Sequence, residues 1–401
     1  MKLFVTLSII LAGLGGRSAV DKALALRGGP ELVALWAQLG SVIELIAGVA
    51  MAGVGTGLSV LVAQAPPGAH QRRLLRAGLR AGLSVSVPAM LVVAALAVFR
   101  PRAVIESGLS PALLVFGALV GCLAVAPAML NSYWLGQQRR GAMLALALGS
   151  AAISLGAALV APPRSILQAL ALAQAAPVLL TAVVLRREPA RGDSATEARH
   201  AARQLLRYMP AGVAIGILSP GSMLAARSIV SGALSWHAAG ELQALWRVSD
   251  WVGSLAAGVL SVYFLPRLSA CAGTPRFAPE LRRAALVTLL PSAAAFLMLL
   301  AWQRPAFSLL YDPSVEFRNA TVALFFAGSL VRIAAWVPLF ALYATRRTLA
   351  IAAGEFLSLP LFAALLAVFA SGLTLERAAA MWLASYLAYG AFNLWALRRG
   401  R

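Results

Sequence analysis

The chain has 401 residues, of which 61% are hydrophobic and only 12% charged, and its mean hydropathy is +0.83. Soluble globular domains run at about 45–50% apolar and about 25% charged, so this composition excludes them. The formal charge of +20 comes from arginines at the ends of apolar runs, which argues for loop bias and against nucleic-acid binding.

A spanning helix needs roughly 20 apolar residues, so the chain has room for about twelve. In chain order the expected spans are Leu3–Leu26, Leu32–Ala63, Leu79–Phe99, Leu109–Leu135, Met143–Ala161 and Ile166–Leu185. A polar stretch, Arg186 to Arg203, follows. The second set is Leu206–Leu234, Ala238–Leu265, Leu286–Trp302, Thr321–Tyr343, Leu349–Phe369 and Leu375–Leu397. The start, MKLFVTLSIILAGLGGRSA, imitates a secretory signal. Its counterpart in the repeat described next lies in mid-chain, so it reads as the first span.

Arg17 to Gly48 recurs without a gap as Arg227 to Gly258, an offset of 210 residues. Arg17-Ser18 falls on Arg227-Ser228, and Glu31-Leu32-x-Ala34-Leu35-Trp36 falls on Glu241-Leu242-x-Ala244-Leu245-Trp246. Weaker likeness continues: Arg80 before Pro88 matches Arg283 before Pro291, and Arg139-Arg140 matches Arg346-Arg347. Two similar halves with an even number of spans each enter the membrane from the same side, a parallel repeat. The expectation is an all-α polytopic membrane protein of about 12 transmembrane helices in two parallel-repeat six-helix lobes with a central cavity. The lobes would be residues 1–186 and 205–401, joined by a cytoplasmic linker at 187–204. Most of the 34 Lys and Arg fall in the loops that share a side with both termini, which places both termini in the cytoplasm.

Basic residues inside spans carry the functional question: Arg17, Lys22, Arg227, Arg247 and Arg332. A charge at the bilayer centre costs at least about 2.5–3.5 kcal/mol, so each needs a wet cavity or an acidic partner. Arg17 has Asp21 at i+4, and Arg247 has Asp250 at i+3, so pairs within one helix are the plain reading. Arg227 has no such acid, and its plain reading is snorkelling toward the surface. For Lys22 both cavity and snorkelling stand. Arg332 has no acid at i±3 or i±4. The sharper reading makes these five residues the binders of a phosphate-bearing substrate, since a guanidinium pairs bidentately with phosphate oxygens. Asp250, Glu355 and Glu44 are acids within spans; each would either take up a coupling proton or sodium ion or pair with one of the arginines. Glu31 and Glu241 each begin a helix and complement its dipole.

Cys122 and Cys271 have no metal-type spacing. The run Ala52-Gly53-Val54-Gly55-Thr56-Gly57 lies inside a span and lets helices approach, with no phosphate-loop context. There is no GxxxxGK[ST], no HExxH and no nucleophile elbow in the sequence, so the reading is a transporter with no cofactor and not an enzyme.

Several stretches resemble a known family. They are Lys22 ahead of Gly29-Pro30, the glycine run leading to Val62-Ala63-Gln64, and Arg227 followed by Ser235-Trp236. Asp250 leading to Ser261 through Ser269, Arg332 and Glu355 complete the set. Together they resemble the Wzx-type lipid-linked oligosaccharide flippases of the multidrug/oligosaccharidyl-lipid/polysaccharide exporter superfamily, above all the 12-span branch that moves lipid III of enterobacterial common antigen. Arg17 has no match in that branch. The resemblance implies a bacterial inner-membrane protein that passes an undecaprenyl-pyrophosphate-linked glycan outward by alternating access, for O-antigen, common antigen or exopolysaccharide. It also implies anionic lipids, a glycan polymerase and a chain-length regulator as partners. A multidrug exporter of the same superfamily, a non-transporting scaffold for glycan assembly and a sugar-porter-type carrier are the alternatives.

Overall fold

A computed structural model describes residues 2–51, 54–66, 68–99, 108–187, 205, 209–311 and 317–399. The linker expected at 187–204 lies almost wholly outside them. Among the described residues the fold is all-α. Helices α1 (Lys2–Met51), α2 (Val54–Gln64), α3 (Ala69–Phe99), α4 (Pro111–Gly136), α5 (Arg140–Val160), α6 (Ile166–Ala175) and α7 (Pro177–Arg187) come first. Then follow α8 (Met209–Ala233), α9 (Trp236–Val259), α10 (Leu265–Cys271), α11 (Phe277–Ala301), α12 (Gln303–Leu310), α13 (Asn319–Ala344), α14 (Thr348–Glu355), α15 (Leu359–Val368) and α16 (Leu375–Arg398).

Nine helical stretches among the described residues are long and apolar enough to cross a membrane. The first, Leu11–Met51, counts as one but is broken at Gly28 and Gly29. Dividing it there and adding the long helices α8 and α16 gives the twelve spans that the hydropathy pattern predicts. Helix α9 runs into α10 through a π-turn, Leu260–Phe264, where the Leu265 amide donates to the Leu260 carbonyl. Pro266 follows at once. It has no N–H to give to the preceding turn, and the wider turn absorbs that loss.

Two compact units make up the chain. One, the C unit, contains residues through Leu14, then Asp21–Ala34, then Ala225 onward; the other, the N unit, contains Gly15–Val20 and Leu35–Leu224. Shifted by the repeat offset, the residues through Leu14 fall on those that end at Leu224.

The repeat is visible in local geometry. After α4, Gln138 takes φ 59° and the amides of Gln137, Gln138 and Arg139 donate to the carbonyls of Tyr133, Leu135 and Trp134. After α13, Arg346 takes φ 57° and the amides of Thr345, Arg346 and Arg347 donate to Ala341, Tyr343 and Leu342 in the same pattern. This turn pairs Gln138 with Arg346, so the arginine pairs matched in sequence are out of step by one residue. The helix break also differs between copies. In the first copy Gly29, at φ 67°, ends one helix and Pro30 opens the next. Gly28 and Gly29 are matched in the second copy by Ala238 and Ala239, and alanine disfavours the positive φ of Gly29. There the break comes a turn earlier, at Ser235, whose side chain accepts from the Ala238 amide at 3.1 Å.

The N unit packs α2, α3 and α4 around Val54, Leu58, Leu75, Val125 and Met129. Gly121 permits the approach of α4 to α1: a Cβ there would stand 2.8 Å from Ile46 Cβ. The C unit is centred on an aromatic cluster. Trp382 stacks on Phe325 (5.0 Å, 4°) and meets Trp246, Phe362 and Tyr386 edge-on. Its indole N–H donates to Ser329 Oγ at 3.1 Å, which in turn donates to Ser249 Oγ at 3.0 Å.

Candidate functional site

In the C unit the start of the Asp21–Ala34 segment meets α9. Arg247 Nε donates to Asp21 Oδ2 at 2.6 Å. Both side chains are mostly buried, and Asp21 Oδ1 has no hydrogen-bond partner among the described residues. The Tyr311 hydroxyl is buried within electrostatic reach of both. Lys22 Nζ donates to the carbonyls of Ser308, at 2.7 Å, and of Tyr311. These carbonyls lie at the C-terminal end of α12, where a cation complements the helix dipole. Lys22 therefore caps a helix in this structure.

The second ion pair joins α9 to α13. Arg332 Nη2 donates to Asp250 Oδ1 at 2.9 Å. The guanidinium carbon lies 5.2 Å from the Trp336 ring centre and 5.5 Å from that of Trp382. Tyr386 also bears on it. Gly253 makes the room, since a Cβ there would stand 2.8 Å from Nη2. Asp250 is the open member of this pair, with 41% of its side chain exposed against 10% for Arg332.

These contacts correct the plain reading of the charges. Arg17 does not pair with Asp21, and the hydrogen-bonded partner of Arg247 is not Asp250. Arg17 pairs with Glu44, Asp21 with Arg247, and Asp250 with Arg332. A pair along one helix contributes only about 0.2–0.5 kcal/mol. Leaving a buried charge without a partner costs about 3–5 kcal/mol. The arrangement that gives each buried charge a partner on a neighbouring helix therefore prevails.

Glu355 sits at the end of α14, where the chain breaks before α15. Its Oε1 accepts from the Tyr389 hydroxyl at 2.9 Å, and Ser358 Oγ donates to its backbone carbonyl at 2.7 Å. The ring of Tyr389, whose hydroxyl bonds Glu355, meets that of Tyr386 edge-on at 6.1 Å.

The arginines that share a place in the repeat have opposite surroundings. Arg17, in the N unit, is 62% exposed at its side chain and reaches Glu44, itself 58% exposed, at 3.4 Å. Arg227 is 1% exposed, and its Nη1 donates to Gln243 Oε1 at 2.9 Å. The sequence explains the difference. Val33 stands in the first copy where Gln243 stands in the second, and Ser254 stands in the second where Glu44 stands in the first. Neither arginine can copy the other's bond. Snorkelling does not describe Arg227, which is enclosed by protein.

Sequence reading singled out every charge in this set but missed its neutral partners Gln243, Tyr311, Tyr386, Tyr389, Trp382 and Gly253. Trp336, one turn from Arg332, was legible by spacing. The others sit on different helices, and no local pattern marks them.

The sequence matches no protein-family model and no curated protein. Solved structures do match over nearly the whole chain. A multidrug-resistance MATE family transporter of the MOP superfamily in an inward-facing conformation aligns at TM-score 0.71 and 13% identity, over 100% of this chain and 99% of that one. The lipid II flippase MurJ, in an inward closed conformation, aligns at TM-score 0.69 and 13% identity, over 98% and 87%. A MOP superfamily transporter from Pyrococcus furiosus, described as having a binding pocket of reverse polarity that suggests a different function, aligns at TM-score 0.62 and 12% identity, over 100% and 95%. Likeness at such identity is likeness of fold: this chain is a multi-pass membrane protein built on the fold of the MOP superfamily transporters.

Proposed function

We propose that the chain is an inner-membrane flippase that carries an undecaprenyl-pyrophosphate-linked oligosaccharide from the cytoplasmic to the periplasmic face by alternating access. Both termini are cytoplasmic in this reading, and residues 1–186 and 205–401 are its two lobes. The observation that carries it is Arg17. It stands in an apolar helix, its side chain is 62% exposed, and among the described residues its one ion pair is a loose contact to an exposed carboxylate. Such a group is open to a phosphate, and exchanging Glu44 for a dianion strengthens its bonding. Lys22, Arg247 and Arg332 are engaged with the end of α12, with Asp21 and with Asp250, so Arg17 is the phosphate contact of this reading. Arg227 supports the packing around it. Asp250, Glu355 and Glu44 are the acids through which a proton or sodium ion is coupled. Anionic lipids meet the arginines of the inside loops, and a glycan polymerase and chain-length regulator act on the product.

A second reading is a multidrug exporter of the same superfamily. It is favoured by the Asp250–Arg332 pair, in which the carboxylate is the more open partner and so available to a cationic drug. One experiment separates the two. The protein is extracted with native lipid, and the co-purifying molecules are weighed by mass spectrometry. A polyprenyl pyrophosphate, lost on Arg17→Gln, supports the flippase. A purified protein that binds an organic cation, and no pyrophosphate lipid, overturns it.

A further inference from the structure

The ion pairs Asp21–Arg247 and Asp250–Arg332 of the C unit share helix α9. Arg247 and Asp250 are three residues apart on α9, a spacing at which side chains on a helix can meet, and Asp250 already acts electrostatically on Arg247. Along Asp21, Arg247, Asp250 and Arg332 the charges alternate in sign. We propose that Arg247 exchanges carboxylates: it holds Asp21 in the state described here and Asp250 in a second state, in which the segment Asp21–Ala34 has let go of α9.

The position of Asp21 favours this. The chain enters the C unit at that residue, and the six residues before it belong to the N unit. Asp21 is held through one oxygen, its Oδ1 having no partner among the described residues.

The burial of Arg247 requires a second acid. Arg247 has no aromatic ring under its guanidinium among the described residues, so without a carboxylate it would be strongly destabilised and the segment could not leave unless another acid took over. Asp250 is the acid within a turn. It is also the more exposed member of its own pair, so it can turn without a large change in burial. Arg332, when released, keeps the faces of Trp336 and Trp382. Its charge stays stabilised by the ring quadrupoles.

Lys22 adds a second catch. It follows Asp21 and binds the end of α12, so the two bonds must open together. Tyr311, against both, is the remaining polar group packed on the pair.

The exchange rests on the transport reading only in needing a second state, and it can be measured without transport. Spin labels are placed at Leu26 and Met298, both exposed in the C unit, with Cys122 and Cys271 replaced by serine. Distances are read by pulsed electron resonance in lipid nanodiscs. The expected result is two populations in the parent protein. Asp250→Asn loses the longer one, Asp21→Asn loses the shorter one, and Asp250→Glu keeps both. One population common to the parent and both asparagine variants overturns the exchange, as does an unchanged pair of populations in Asp250→Asn. Melting temperature and elution profile show that each variant is folded; Asp250→Ser stands in if Asp250→Asn is not. If the distances behave as expected while no pyrophosphate lipid binds, the exchange stands and the flippase reading falls.

Discussion

Pro30 and Gly240 hold the same place in the two copies of the repeat, and they touch. A Cβ on Gly240 would overlap the carbonyl oxygen and carbon of Pro30. Equivalent positions that meet each other lie where the two copies come together, and both residues belong to the C unit.

Gly240→Ala should therefore destabilise the protein even though alanine is the better helix former by about 1 kcal/mol. The atoms in the way are backbone, which cannot swing aside. Overpacking of this kind costs about 1–3 kcal/mol, so a lower melting temperature is expected, and a still lower one for Gly240→Val. Differential scanning fluorimetry in detergent checks this; an unchanged melting temperature would refute the contact.

Arg17 and Arg227 should respond in opposite ways. Gln243→Leu removes a bond to a buried charge and should cost about 1.5–3 kcal/mol of stability. Arg17→Gln breaks only an exposed, loose pair and should change stability by about 0.5 kcal/mol or less. If the proposed flippase reading holds, glycan export, followed by periplasmic labelling, should fall in Arg17→Gln with the protein still in the membrane.

Arg332→Lys should not be conservative. Lysine keeps the charge but lacks the planar group that lies between Trp336 and Trp382 and bonds Asp250. Transport is expected to drop at least as far as in Arg332→Gln. Equal activity of Arg332→Lys and the parent protein, in a liposome flipping assay, would count against the role of the stacked guanidinium.

Lys22→Met should loosen α12 without unfolding the bundle. A cation at a helix C-terminus contributes about 0.3–1 kcal/mol. Backbone amides from 303 to 311 should then exchange hydrogen faster, while those of α13 keep their protection. Hydrogen–deuterium exchange read by mass spectrometry resolves the two segments.

The amino-acid sequence by itself determined that the chain is helical and membrane-embedded, where the spans fall, and that two segments 210 residues apart are copies. These follow from the run length of apolar residues and from self-likeness, both of which are local. It also marked each charge that needs a partner, because the cost of an ion in an apolar helix does not depend on the fold. Only the tertiary structure decided who those partners are. Arg17 passes over Asp21 on its own helix for Glu44, Arg247 bonds Asp21, and Arg332 takes Asp250. Partner choice depends on which helices are brought side by side and on how deeply each charge is buried, and the desolvation energy at stake there exceeds anything that spacing along one helix supplies.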